Sequence, residues 1–75
     1  MSSATATATV AIRVNGEPRV MSNGASLLDL LGLLSLDPRM VVVELNRVIV
    51  RRGALEETRL NEHDEVELVH FVGGG

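Results

Sequence analysis

The sequence contains no cysteine, no lysine, no tryptophan and no tyrosine, and Phe71 is its single aromatic residue. Each absence removes a class of chemistry. Without cysteine there is no disulfide, no thiolate metal site and no side-chain thiol on which sulfur could be held. Without lysine there is no amine for a Schiff base, for a phosphate loop or for lysine-linked polymers of the chain itself. Without aromatic platforms, base stacking is closed. The net charge of −3 lacks the basic face that nucleic acid requires, so no nucleic-acid partner is expected. No apolar run reaches the ~20 residues of a membrane span. The opening residues alternate Ala and Thr and have neither the basic start nor the leucine-rich centre of a secretory leader. These readings point to a cytoplasmic protein with no membrane partner.

What is present is aliphatic. A chain of 75 residues makes one small domain, which buries only about 60% of the surface its unfolded form exposes. Valine and leucine must therefore fill a thin core. Residues 1 to 8 are too small and polar to join it and read as a disordered extension. The domain proper is expected over 9 to 72.

Thr9 to Val14 alternates, with Val10, Ile12 and Val14 on one face, the period of a half-buried strand. Asn15-Gly16 follows, the pair that a type I′ hairpin turn favours because both residues take φ > 0. Glu17 to Met21 returns as a second strand, and Pro18 puts it at an edge because proline cannot donate to a ladder. Ser26 with Asp29 three residues later predicts a helix start. Leu27, Leu28, Leu30, Leu31, Leu33 and Leu34 give that helix a dense apolar surface read as core. Gly32 either lets the helix approach the sheet closely or marks its last turn. Asp37-Pro38 ends the segment.

Met40 to Leu45 is a nearly continuous apolar run, read as a well-covered third strand. Asn46-Arg47 turns the chain into a short strand, Val48 to Val50. Ala54 to Thr58 reads as a helical turn, Leu60 as a core plug and Asn61 to Asp64 as a tight turn. Glu65 to Val72 is the last strand. It is the most apolar and is expected at the centre, parallel to the first strand, because a helix-containing connection separates the two. A hairpin, one helix and three further strands predict an α+β fold of the β-grasp type: a mixed sheet of four to five strands packed on one helix.

The chain closes on Gly73-Gly74-Gly75, read as a flexible tail. Fraying is the commoner meaning of such an end. The other meaning is functional: glycine has no Cβ, so a glycine thread fits a narrow tunnel and carries its carboxylate into another protein's site. The combination of tail and fold favours the second meaning. Ile12-Arg13-Val14-Asn15-Gly16, the leucine-rich helix, Val41 to Arg47 and above all Asp64 to Gly75 resemble the ThiS family of ubiquitin-like sulfur carriers in thiamine biosynthesis. The resemblance covers residues 10 to 75. His63 is a departure, because many relatives have Gly there.

The resemblance implies a carrier, not an enzyme. The Gly75 carboxylate would be adenylated by a ThiF-type adenylyltransferase using ATP, with no cofactor bound by the carrier. A cysteine desulfurase would supply sulfur through a persulfide, giving a thiocarboxylate on Gly75. A ThiG-type thiazole synthase would then accept the sulfur. Gly73, Gly74 and Gly75 would thread the partners' sites. No catalytic side chain and no metal site are expected: His63 and His70 have no Cys or His neighbour at ligand spacing.

A docking surface follows from strand parity. If Val66 and Leu68 face the helix, Val69 and Phe71 lie on the open face next to the tail, and Val69, Phe71 and Val72 become candidate partner contacts. Phe71 reads equally as satellite core folded over the sheet edge. Asp64, Glu65 and Glu67 read as a solvated acidic patch able to steer a basic partner. Rival readings are the small subunit of molybdopterin synthase or another carrier of the same class, a protein modifier, and a plain interaction module with incidental glycines.

Overall fold

Alternating burial builds the first hairpin. In the computed structural model, which describes residues 8–71, Val10, Ile12 and Val14 are buried and their neighbours exposed along β1, Thr9–Val14. Asn15 (φ 50°) and Gly16 (φ 84°) turn the chain into the antiparallel β2, Glu17–Ser22. The Ala/Thr-rich extension up to Thr7, together with Val72 and the Gly73–Gly75 tail, lies outside the described residues.

The helix α1, Leu27–Leu33, starts on a complete capping box. Ser26 Oγ accepts from the Asp29 N–H at 3.1 Å and Asp29 Oδ2 accepts from the Ser26 N–H at 2.9 Å. Such a cap is worth about 1 kcal/mol. The helix ends with Ser35 in the left-handed region (φ 59°). Its N–H donates to Gly32 O, and the Leu36 N–H donates to Leu31 O at 2.9 Å, the paired bonds of a Schellman ending. Gly32 therefore marks the last turn. It does not serve close packing, since a Cβ there would meet nothing within 4 Å.

After a short 3₁₀ turn at Pro38–Met40, β3 (Val41–Leu45) and β4 (Val48–Val50) form a second hairpin. Its turn residues, Asn46 (φ 51°) and Arg47 (φ 73°), repeat the conformation of the first turn with arginine in the place of glycine. A 3₁₀ turn at Arg52–Ala54 and a further turn, closed by the Thr58 N–H to Ala54 O at 3.1 Å, lead to Leu60 and then to β5, Glu65–His70. The sheet order is β2-β1-β5-β3-β4. β5 is central, parallel to β1 and antiparallel to β3, as expected. This is a five-stranded mixed sheet covered on one face by one helix, the β-grasp arrangement.

Leu27, Leu30 and Leu31 are fully buried, and with Ile12, Val43, Val66 and the loop residues Leu55 and Leu60 they make the core. Two expectations are corrected. Leu33 is 62% exposed and stands outside the core, because the helix has only one face against the sheet. β3 is not covered on both faces: Val41 and Val43 are buried but Val42 is exposed. Among the described residues, nothing packs on the side of the sheet that faces away from α1.

Candidate docking face and carrier terminus

β5 is the described strand that precedes the glycines in sequence, and it is held from both sides by asparagines. On the β1 side, the Asn15 N–H donates to Val66 O at 2.9 Å. The Asn15 side chain then pairs with the next peptide, Oδ1 accepting from the Leu68 N–H at 2.7 Å and Nδ2 donating to Leu68 O at 3.3 Å. On the β3 side, the Asn46 N–H donates to Glu65 O at 2.8 Å and Asn46 Oδ1 accepts from the Glu65 N–H at 2.9 Å. Each amide replaces a ladder partner where the neighbouring strand has turned away, so the main-chain groups of Leu68 and Glu65 stay satisfied.

The turn before β5 is lashed down as well. Asp64 is buried; Oδ2 accepts from the Asn61 N–H at 2.8 Å and Oδ1 accepts from Asn46 Nδ2 at 3.0 Å. This corrects the reading of Asp64 as part of a solvated patch: it is an internal acceptor that reaches back to Asn61, and its own N–H donates to Asn61 O at 3.1 Å to close the turn. The Ala11 N–H donates to Glu62 Oε1 at 2.9 Å, and the His63 N–H donates to Ala11 O at 2.7 Å. His63 takes φ 70°, the conformation that glycine supplies at no steric cost.

Register decides which side chains meet on the open face. Val42 stands opposite Val69 and Glu44 opposite Glu67. Val43 and Leu45 oppose Leu68 and Val66 on the helix side. Val69 is 60% exposed and Phe71 44% exposed, with Ile49 of β4 nearby on the same side at 63%. The Phe71 N–H donates to Met40 O at 2.9 Å, extending the ladder one bond past His70. Phe71 is therefore held at the rim of the open face and is not buried as satellite core. Of the expected contacts, the structure brings Val69 and Phe71 together on one face; Val72, Gly73, Gly74 and Gly75 lie outside the described residues.

Next to the apolar patch, Glu44, Glu65 and Glu67 share a shallow depression with Arg47 and Val69. Directly opposed like charges such as Glu44 and Glu67 cost stability in a free sheet. Glu44 is the member of this cluster that the sequence reading missed. It lies in an otherwise apolar strand, and only the β3–β5 register sets it across from Glu67. The helix side of the sheet carries a groove of about 470 Å³ between the first hairpin and the end of α1, lined by Val14, Arg19, Leu34, Leu36, Leu68 and His70 among others.

Comparison with known proteins accounts for this combination of fold and sequence. The profile of the ThiS family matches residues 12–75. The chain is 44% identical over 64 residues to a thiazole synthase of Magnetococcus marinus, a match covering 85% of this chain and 20% of that protein. The chain thus spans only about a fifth of that relative's length. It is 34% identical over 65 residues to the sulfur carrier protein ThiS of Bacillus subtilis, covering 85% of this chain and 98% of that one. The crystal structure of thiamine biosynthesis protein ThiS from Geobacter metallireducens superposes with a TM-score of 0.74 at 32% identity, covering 88% of this chain and all of that one. The family profile, the full-length Bacillus relative and the shared β-grasp structure together establish that the chain belongs to the ThiS family, the sulfur carriers of thiamine biosynthesis.

Proposed function

We propose that this chain carries sulfur as a thiocarboxylate on Gly75 and delivers it for thiazole formation. A free carboxylate is a poor acyl donor because oxide leaves badly. A ThiF-type adenylyltransferase would join the Gly75 carboxylate to the α-phosphate of ATP with release of pyrophosphate. The terminal sulfur of a persulfide, charged by a cysteine desulfurase, would attack the activated carbonyl and expel AMP. A thiol would then reduce the resulting acyl disulfide, leaving the thiocarboxylate on Gly75 and the oxidised sulfur on the partner side. A ThiG-type thiazole synthase is the acceptor. All of this chemistry takes place in the cytoplasm and on partner enzymes, with ATP bound by the adenylyltransferase and no catalytic side chain supplied by the carrier.

The observation that carries the reading is the family match, which runs through to Gly75. The structure supports a division of labour: a central strand that leads in sequence to the glycines, and an open face bearing Val42, Val69 and Phe71. Gly73 and Gly74 would thread the partners' narrow entrances while Val69, Phe71 and Val72 dock. The test is intact mass after incubation with ATP, the adenylyltransferase and a persulfide source. A gain equal to one sulfur replacing one oxygen, lost on deleting Gly75, supports the reading. No gain, with the partner active on another carrier, would overturn it.

A further inference from the structure

Among the described residues no strand pairs with the outer edge of β4, and that edge has the features of a strand-addition site. β3 and β4 are joined by a two-residue turn, and Leu45 pairs with Val48 at its mouth. In such a hairpin the closing pair exchanges both main-chain hydrogen bonds, and the pairs then alternate. The next pair, Glu44 with Ile49, is of the non-hydrogen-bonded kind. The N–H and C=O of Ile49 therefore point away from β3, toward the outside of the sheet. Val48 is 64% exposed and Ile49 63%, one on each side of this edge. Sheet edges are commonly blunted by proline or by charges within the strand. β2 at the other edge has Pro18 and Arg19, but β4 is Val48-Ile49-Val50 with neither.

Charge sits instead at both ends of the strand, where Arg47 and Arg51 are exposed. A second copy pairing Ile49 with Ile49 across a two-fold axis would set Arg47 of each chain opposite Arg51 of the other. Like charges directly opposed disfavour that pairing. The same two arginines suit an apolar strand with carboxylates at its ends. Ile49 also lies on the open face with Val42, Val69 and Phe71, so an added strand would extend the candidate docking face.

We infer that the β4 edge accepts an extended segment of a partner protein, apolar in the middle and acidic at both ends, through main-chain pairing at Ile49. The inference does not depend on sulfur transfer and stands or falls separately from it. The test uses the full-length, isotope-labelled chain and two capped peptides of alternating Val and Thr, one with Asp and Glu at both ends and one with Lys at both ends. The acidic peptide should shift the amide signals from Arg47 to Arg51 and slow exchange of the Ile49 amide. It should bind at least about tenfold more tightly than the lysine peptide at low salt. Ile49→Pro should abolish binding, because it removes an outward donor and no ladder bond, whereas Ile49→Thr should retain it. Absence of protection at Ile49, equal binding of the two peptides, or protection that rises with chain concentration and dimerisation in the free protein would each overturn the inference.

Discussion

Asn15 and Asn46 occupy the same position in two different hairpin turns and grip β5 from opposite sides. Asn15 bonds both main-chain groups of Leu68, and Asn46 both main-chain groups of Glu65. Each sits at positive φ, which asparagine tolerates better than most residues. One residue type thus meets the needs of a turn and of a central strand together. Asn15→Gly keeps the turn conformation and deletes the amide, so it isolates the clamp. It should cost about 1–3 kcal/mol in denaturant unfolding. It should also speed exchange of the Leu68 amide more than that of Val43. Equal acceleration at both sites would show that the amide has no local role.

Ser35 and His63 hold left-handed conformations without the glycine that favours them. Ser35→Gly and His63→Gly should each stabilise the fold by up to about 1 kcal/mol, the relief of backbone strain being partly offset by a more flexible unfolded chain. The two sites share no partner, so the gains should add in the double variant. Thermal or urea midpoints measure this directly. A loss at Ser35 would mean that its hydroxyl contributes more than the strain costs.

The helix separates its leucines sharply. Leu31→Ala should cost about 2–5 kcal/mol because it opens a cavity in the core. Leu33→Ala should stay within about 0.5 kcal/mol, as expected for an exposed site. Comparable losses at the two positions would contradict the helix orientation.

Asp37 provides a pH signature. Its carboxylate accepts hydrogen bonds from the Arg39 side chain at 2.8 and 3.1 Å and from the Arg39 N–H at 2.9 Å. The side-chain bonds first, then the backbone bond, lower its pKa to about 2. A carboxyl with a depressed folded-state pKa contributes stability that is present above its unfolded value and lost as pH falls through the folded one. The contribution should therefore fade between about pH 4 and pH 2. Asp37→Asn should flatten the stability profile in that window and leave it unchanged in shape near neutrality. The pair is exposed, so raising the salt concentration should shrink the effect.

Glu67 tests whether the open face serves a partner. Glu67→Gln removes the opposition to Glu44 and should stabilise the free chain by about 0.2–1 kcal/mol. If a basic partner surface docks there, the same variant should slow association with the adenylyltransferase at low salt, with the difference vanishing at high salt. Phe71→Ala should weaken the complex by about tenfold while leaving the unfolding midpoint unchanged. Unaltered affinity in both variants would remove this face from the docking surface.

Much of the fold was legible because it is written in local patterns. Alternation at Val10, Ile12 and Val14 set the buried face of β1, and Ser26 with Asp29 set the start of α1. Asn15-Gly16 and Asn46-Arg47 located the two hairpin turns, and the parity of Val66 and Leu68 against Val69 and Phe71 gave the two faces of β5. The misreadings arose where burial depends on what lies across from a residue. Leu33 and Val42 are as apolar as their buried neighbours, yet the single helix has one contact face and covers one side of the sheet.

The sequence alone determined the element order, the turn chemistry, the glycine run and the absence of a side-chain thiol, because each depends on residues close together in the chain or on composition. Tertiary structure decided that Asn15 meets Leu68, that Asn46 meets Glu65 and Asp64, that Asp64 is internal, and that Glu44 faces Glu67. Those pairs join distant parts of the chain. They exist only once β5 has inserted between β1 and β3, and no local periodicity encodes the register of that insertion.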